Sequence, residues 1–329
     1  MVKVIIQIPC YNEENTLPMV LADLPRTIPG VDQVETLVIN DGSRDGTLRV
    51  ARECGVTHIV DLPHNLGLAA AWSAGIDEAL RQGADIIVNT DGDNQYAGAD
   101  VAALVLPVLN READIVIGAR PLEQIEHFSW FKKRLQRLGS WAIGALAGTP
   151  VPDAASGFRA YTAEAALRLS SGLLHYTHTA DTIIRAVQRG QVIASVPEHV
   201  NEKLRESRLM SSMLGYLWQQ GVTVVRVVTM PYPLRVFGAA AGVCVVSGVA
   251  GYMWFLWLYF HGHGAGHVQS LLLFSALIIV GFVVGMIGLA ADMIAANRRL
   301  IEESLYQLRR AQIEQCKAAR RAEQQLQRP

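Results

Sequence analysis

Ala84-Asp85-Ile86-Ile87-Val88-Asn89-Thr90-Asp91-Gly92-Asp93 is a short apolar, β-branched run that ends abruptly in two carboxylates one residue apart. The run reads as a buried strand and Gly92 as the residue that lets the chain turn tightly after it. Four similar runs share the first half of the chain: Val2–Ile8, Val34–Ile39, Val56–Asp61 and Asp114–Ile117. Longer stretches of helical periodicity separate them, and such alternation predicts an α/β fold, a mainly parallel sheet with helices on both faces. Ligands of such sheets bind beyond the carboxyl ends of the strands. Tyr11-Asn12-Glu13, Asp41-Gly42-Ser43 and Asp91-Gly92-Asp93 each follow a strand, so three polar turns are expected to converge on one cleft. Two carboxylates at a strand end suit a hard divalent cation beside a diphosphate. The first strand runs into Pro9-Cys10-Tyr11-Asn12-Glu13 rather than a glycine-rich turn, which argues against a dinucleotide-dependent oxidoreductase.

The chain has 329 residues, half of them apolar, with a formal net charge of −1. Eight Lys and Arg against four Glu from Arg298 onward leave −5 for residues 1–297, so no basic field points to nucleic acid. The four cysteines, Cys10, Cys54, Cys244 and Cys316, are scattered without zinc spacing or disulfide density. The N-terminal run lacks a basic lead and a small-residue cleavage site and is expected to be a strand, not a signal peptide.

Val236–Phe260 and Val268–Ala291 hold long apolar runs, and each exceeds the ~20 residues that cross a bilayer core. They predict a transmembrane hairpin over 236–291. Trp254, Trp257 and Tyr259 lie near the end of the first span, and Arg235, Arg298 and Arg299 flank the pair. The loop from His261 to His267 has no Lys or Arg, which places both chain ends in the cytoplasm. Its three histidines lack the carboxylates and rigid frame of a metal site. The expected organisation is a cytosolic catalytic domain over 1–210, a juxtamembrane amphipathic segment over 211–235, the hairpin, and an exposed cytosolic helix over 292–329. That last helix could lie on anionic lipid or pair with a second copy. Phe128–Leu146 interleaves Trp130, Phe131, Leu135, Leu138, Trp141 and Ile143 with Lys132, Lys133, Arg134 and Arg137. It suits either a membrane surface or a helix docked on the sheet.

A series of ordered motifs resembles glycosyltransferase family 2. They are Ile8-Pro9-Cys10-Tyr11-Asn12-Glu13-Glu14, Asn40-Asp41-Gly42-Ser43-Arg44-Asp45-Gly46-Thr47, Asn65-Leu66-Gly67, Asp91-Gly92-Asp93-Asn94-Gln95, Gly118-Ala119-Arg120, Asp153-Ala154-Ala155-Ser156-Gly157-Phe158-Arg159 and Leu204-Arg205-Glu206-Ser207-Arg208-Leu209. With the hairpin, the chain is similar to the polyprenyl-phosphate sugar synthase branch, which includes dolichyl-phosphate mannose synthases and bactoprenol glucosyltransferases. The resemblance implies a GT-A-type fold and inverting transfer of a hexose-type sugar from a UDP- or GDP-sugar to a polyprenyl phosphate at the cytosolic membrane face, with Mg²⁺ or Mn²⁺ as cofactor. It further implies that Pro9, Tyr11, Asn12 and Glu13 line the nucleoside pocket and that Asp41 bonds the base or ribose. Asp91, Asp93 and Gln95 would hold the metal. Arg120, with Lys133, Arg134, Arg205 and Arg208, would hold the acceptor phosphate, and Asp153 stands near the reacting centre. A homo-oligomer is also expected. The acceptor phosphate, with a second pKa of about 6, is already mostly a dianion at neutral pH, so Asp153 is expected to position groups rather than to act as a strong base. Rival expectations are a family 2 transferase acting on a lipid hydroxyl and a non-catalytic membrane scaffold. The Gln-x-x-Arg-Trp element of processive synthases is absent, which favours a single transfer.

Overall fold

The computed structural model describes residues 1–120, 144, 152–170, 178–201, 229, 233–261 and 268–326. Strand β1, Lys3–Cys10, is buried almost throughout, as a central strand covered on both faces must be. It pairs in parallel with β2 (Gln33–Asn40) on one side and with β4 (Ile86–Asn89) on the other. β3 (His58–Asp61) extends the sheet beyond β2. Helices α1 (Leu17–Asp23), α2 (Thr47–Glu53), α3 (Leu68–Arg81) and α4 (Val101–Leu109) fill the crossovers. α3 shows how the layers meet: Trp72, Gly75, Ile76 and Ala79 recur at helical spacing and are all buried. A Cβ on Gly75 would lie 2.7 Å from Ile39 and would run into Gln7, so glycine sets the distance of helix from sheet.

Beyond β4 the order departs from simple alternation. β5 (Ile115–Ala119), β6 (Arg159–Thr162) and β7 (Ile193–Pro197) complete a seven-stranded sheet of order β3-β2-β1-β4-β6-β5-β7. β6 runs antiparallel to both β4 and β5, and helices α5 (Ala163–Ser170) and α6 (His178–Gln188) connect it to β7. All five expected strands are present; β6 and β7 are additions. The chain passes from β1 to β2 on one side and reaches β4 on the other, so the switch point of the sheet lies between β1 and β4, where an open α/β sheet places its ligand.

The chain folds into two compact units, Met1–Gly221 with Glu302–Pro329, and Val222–Ile301. In the second unit, helix α7 (Pro233–Phe260) is long and apolar enough to cross a membrane, and so is the apolar part of α8 (Val268–Leu326). The two pack through small residues: a Cβ on Gly281 would lie 3.0 Å from the Ala241 carbonyl, and Gly251 accommodates the Phe274 ring. Pro233 is the first residue of α7, a position where proline's missing N–H is no loss.

Where a hairpin followed by a separate exposed tail helix is expected, α8 is a single helix of 59 residues. The sequence from Ala290 to Arg299 contains no Gly or Pro to end it. Nor is the tail exposed all round. Glu302 and Tyr306, one turn apart, are buried against the first unit: Glu302 holds Arg185 at 2.8 Å and Arg189 at 3.1 Å, and the Tyr306 hydroxyl donates to Glu164 at 2.6 Å.

Candidate active site

Three strand ends meet as the sequence suggests, and hydrogen bonds hold the loops together. After β1, Asn12 takes a left-handed φ of 56°. Its N–H donates to Ser43 Oγ at 2.9 Å, and its side-chain oxygen accepts from the Arg44 N–H at 2.8 Å. Glu13 is buried, its N–H on Thr47 Oγ1 and its carboxylate accepting from Thr16 Oγ1 at 2.7 Å. Asp41 is buried after β2, and its two oxygens accept the N–H groups of Leu66 at 2.7 Å and Gly67 at 3.0 Å. Asn12, Glu13 and Asp41 thus join the loops that follow β1, β2 and β3. Pro9, in β1, pairs with Ile39, and partly exposed Tyr11 follows at the same edge.

The acidic turn after β4 packs against this belt. A Cβ on Gly92 would lie 3.0 Å from Cys10 Sγ and 3.3 Å from the Pro9 carbonyl, so glycine permits the approach to β1. The Cys10 thiol is pushed far up by burial and by the charges of Glu13 and Asp91, which rules it out as a nucleophile at neutral pH. Asp93 accepts from the Gln95 N–H at 3.2 Å and from Gln95 Nε2 at 2.8 Å, so Gln95, expected as a metal ligand, lies beside Asp93. Burial, then repulsion from Asp93, lifts the Asp91 carboxyl to about 7, against the pull of Arg120 and of a hydrogen bond from Tyr96. Two crowded carboxylates of this kind are what a hard cation relieves. Among the described residues no three His, Cys, Asp or Glu side chains form a cage for a metal. A site that borrows oxygens from a diphosphate needs only one or two carboxylates, so Asp91 and Asp93 fit Mg²⁺ or Mn²⁺.

Tyr96 was not legible as a site residue, yet it ties the turn to the rest. Its ring stacks on Phe158 with centroids 5.0 Å apart, and its hydroxyl accepts the Gly157 N–H at 3.1 Å while bonding Asp91. Its only sequence signal is a lone aromatic five residues past Asp91. Gly157 in turn lies against the Asp91 carboxylate. Buried Arg159 fixes the loop before it, donating to the carbonyls of Ala154 and Ser156 and to Thr182.

Asp153 is fully buried, and Arg120 donates to it twice, Nε to Oδ2 at 2.6 Å and Nη2 to Oδ1 at 3.1 Å; the Ala155 N–H adds a third bond. Burial works against the Arg120 charge, but the bonds to Asp153 and its charge more than offset that and hold the guanidinium protonated. This fork occupies one edge of Arg120, and among the described residues no group accepts a hydrogen bond from Nη1. Lys133, Arg134, Arg205 and Arg208, expected beside Arg120, lie outside the described residues, as do the amphipathic stretch Phe128–Leu146 apart from Gly144, most of the juxtamembrane segment, and the loop histidines after His261.

Residues 5–169 match the family described as glycosyl transferase family 2. Among curated proteins, the chain is 29% identical over 211 residues to a polyprenol monophosphomannose synthase of Mycolicibacterium smegmatis, an alignment covering 61% of the chain and 78% of that protein. It is 30% identical over 224 residues to an undecaprenyl-phosphate mannosyltransferase of Micrococcus luteus, covering 65% and 90%. Among solved structures, the glucosyl-3-phosphoglycerate synthase of Mycobacterium tuberculosis, crystallised with Mn²⁺, UDP and glucosyl-3-phosphoglycerate, superposes with a TM-score of 0.53 at 22% identity, over 69% of the chain and 79% of that structure.

Proposed function

The chain belongs to glycosyl transferase family 2, and from that premise we propose that it transfers a hexose-type sugar from a nucleotide-sugar donor to a polyprenyl phosphate at the cytosolic face of a membrane. The observation that carries the choice of acceptor is the state of Asp153. Its carboxylate is locked by Arg120 and Ala155, a poor arrangement for a general base and a good one for holding an arginine in place. A hydroxyl acceptor needs a base; a phosphate, already mostly dianionic above about pH 6, does not. The relatives named for polyprenol and undecaprenyl phosphate agree with that preference.

In this reading the donor nucleoside lies over the ends of β1 and β2, against Pro9 and Tyr11, in a pocket whose walls Asn12, Glu13 and Asp41 hold in shape. Asp91 and Asp93 hold the divalent cation with the donor diphosphate, and Gln95 orients Asp93. When bound, the cation neutralises charge that develops on the departing nucleoside diphosphate. Arg120 grips the acceptor phosphate through its remaining donors, with Lys133, Arg134, Arg205 and Arg208 as candidate helpers. The phosphate oxygen attacks the anomeric carbon as the nucleoside diphosphate leaves from the opposite side, inverting the configuration. Rate comes from alignment and charge neutralisation. Arg235, Arg298 and Arg299 beside the two apolar helices favour both chain ends in the cytosol.

The test is transfer from a panel of radiolabelled UDP- and GDP-sugars, by the full chain in detergent with Mg²⁺ or Mn²⁺ and an EDTA control. Polyprenyl phosphate, free polyprenol and diacylglycerol are offered as acceptors. A metal-dependent lipid-phosphate sugar is the expected product. Product on a hydroxyl lipid alone overturns the acceptor assignment.

A further inference from the structure

Arg120 has a second carboxyl beside it that sequence reading does not single out. Glu198 follows β7 directly and its side chain is wholly inaccessible, with Oε1 4.0 Å from Arg120 Nε. Neither carboxyl oxygen has a hydrogen-bond partner among the described residues. A buried carboxyl left without partners is costly, and most folds avoid one. Here the backbone is fitted around it. Gly118, in β5 two residues before Arg120, faces it so closely that a Cβ there would run into Oε2. The Glu198 N–H is bonded to the Ala119 carbonyl at 3.1 Å, so backbone pairing fixes the carboxyl next to the arginine. The following residues are tied to the metal turn: Val200 bridges Tyr96, and the Asn201 N–H donates to the Gln95 carbonyl at 2.9 Å.

The Nε–H of a guanidinium points at one acceptor, and two carboxyls compete for it here. Asp153 holds it, and Glu198 stands within a small displacement of it. We infer that Glu198 is a positioning residue, a second carboxyl behind the Nε edge of Arg120 that keeps the guanidinium seated beside Asp153 while its remaining donors hold an acceptor phosphate. The inference rests on Arg120 being the phosphate contact, as put forward above. Glu198 acts through Arg120 and does not itself meet the substrate. Burial, ahead of the opposing pull of Arg120, raises the Glu198 carboxyl to about 8. It is therefore largely uncharged while Asp153 holds the arginine, and does not repel an incoming phosphate.

The experiment is initial-rate kinetics on the full chain in detergent, varying polyprenyl phosphate and donor separately, for Glu198→Gln, Arg120→Lys and the double variant. Glu198→Gln is expected to raise the KM for polyprenyl phosphate roughly tenfold, the scale of one contact to a charged group, with the donor KM unchanged. The double variant is expected to resemble Arg120→Lys alone, because the two residues act as one unit. Gly118→Ala, which displaces Glu198, should reproduce the acceptor effect and lose it in a Glu198→Ala background. An unchanged acceptor KM in Glu198→Gln, equal changes in both KM values, or effects that multiply in the double variant overturn the inference while leaving Arg120 in its role. If Arg120→Lys leaves the acceptor KM unchanged, the phosphate assignment of Arg120 falls, and the role of Glu198 with it.

Discussion

Asp153 and Glu198 flank one guanidinium yet lead to different predictions. Asp153→Asn keeps the shape of the loop and loses the charge that anchors Arg120. If the acceptor is a phosphate, turnover should fall by roughly 10- to 100-fold and remain measurable, since no proton has to be removed. Loss to background in a lipid-product assay would instead favour a base and a hydroxyl acceptor. Glu198 is read through its linkage to folding. Its carboxyl ionises near 8 in the folded protein and near 4.3 in an unfolded chain, so the folded state binds the extra proton between those values. The stability this lends is complete below about pH 4 and is lost as pH rises through about 8. Glu198→Gln, which cannot ionise, should therefore gain stability relative to the parent as pH increases from 5 to 9. Melting temperatures of the two proteins in detergent across that range would show the gap widen. A gap that stays constant or narrows would mean that the carboxyl is not held protonated by the fold.

Elements explain how much of this was legible in the sequence. The strands β1, β4 and β5 announce themselves because strands buried on both faces must be near-continuous apolar runs, and the turns after β1, β2 and β4 stand out as polar clusters against them. β6 does not, because Arg159-Ala160-Tyr161-Thr162 is short and carries an arginine two of whose partners, Thr182 and the Thr179 carbonyl, come from α6. Nothing local marks Tyr96 or Glu198 either, since their roles arise only when β6 and β7 bring Phe158, Gly157 and Arg120 alongside. Tyr96→Phe tests that coupling. The change retains the stack on Phe158 but removes the hydroxyl shared by Gly157 and Asp91, at a cost of about 1 kcal/mol in stability. It should also weaken Mn²⁺-dependent donor binding, measured by calorimetry with a nucleotide sugar, by several-fold. Unchanged donor affinity would confine Tyr96 to packing. Gly75→Ala probes the seat of α3, where overpacking against Ile39 and Gln7 should cost roughly 1–3 kcal/mol in denaturant unfolding.

At the scale of the whole molecule, the end of α8 is a structural part of the first unit, although its composition suggests a solvated tail. Every third or fourth residue of this stretch meets a partner there: Glu302 with Arg185 and Arg189, Tyr306 with Glu164 and with the cation of Arg168 at 4.4 Å from its ring, and Arg309 with Asp77 at 3.1 Å. Periodicity alone could not reveal this, because the docked face is polar and its complement lies more than a hundred residues earlier. Glu302 is the decisive member, being buried and shared by two arginines that are themselves largely buried. Replacing it by Gln removes the carboxylate that Arg185 and Arg189 share, a change that costs about 3 kcal/mol when a buried pair loses one partner. For a unit of about 250 residues this should lower the melting temperature by roughly 6–12 °C. Glu314→Ala is the control, since Glu314 pairs with Arg310 in the open, and exposed pairs contribute little. Both variants are to be melted in the same detergent with aromatic fluorescence as the probe. If Glu302→Gln melts with the parent, this stretch of α8 rests on the first unit without stabilising it; if it falls as expected and Glu314→Ala does not, the turns of α8 around Glu302 are needed to keep the first unit folded.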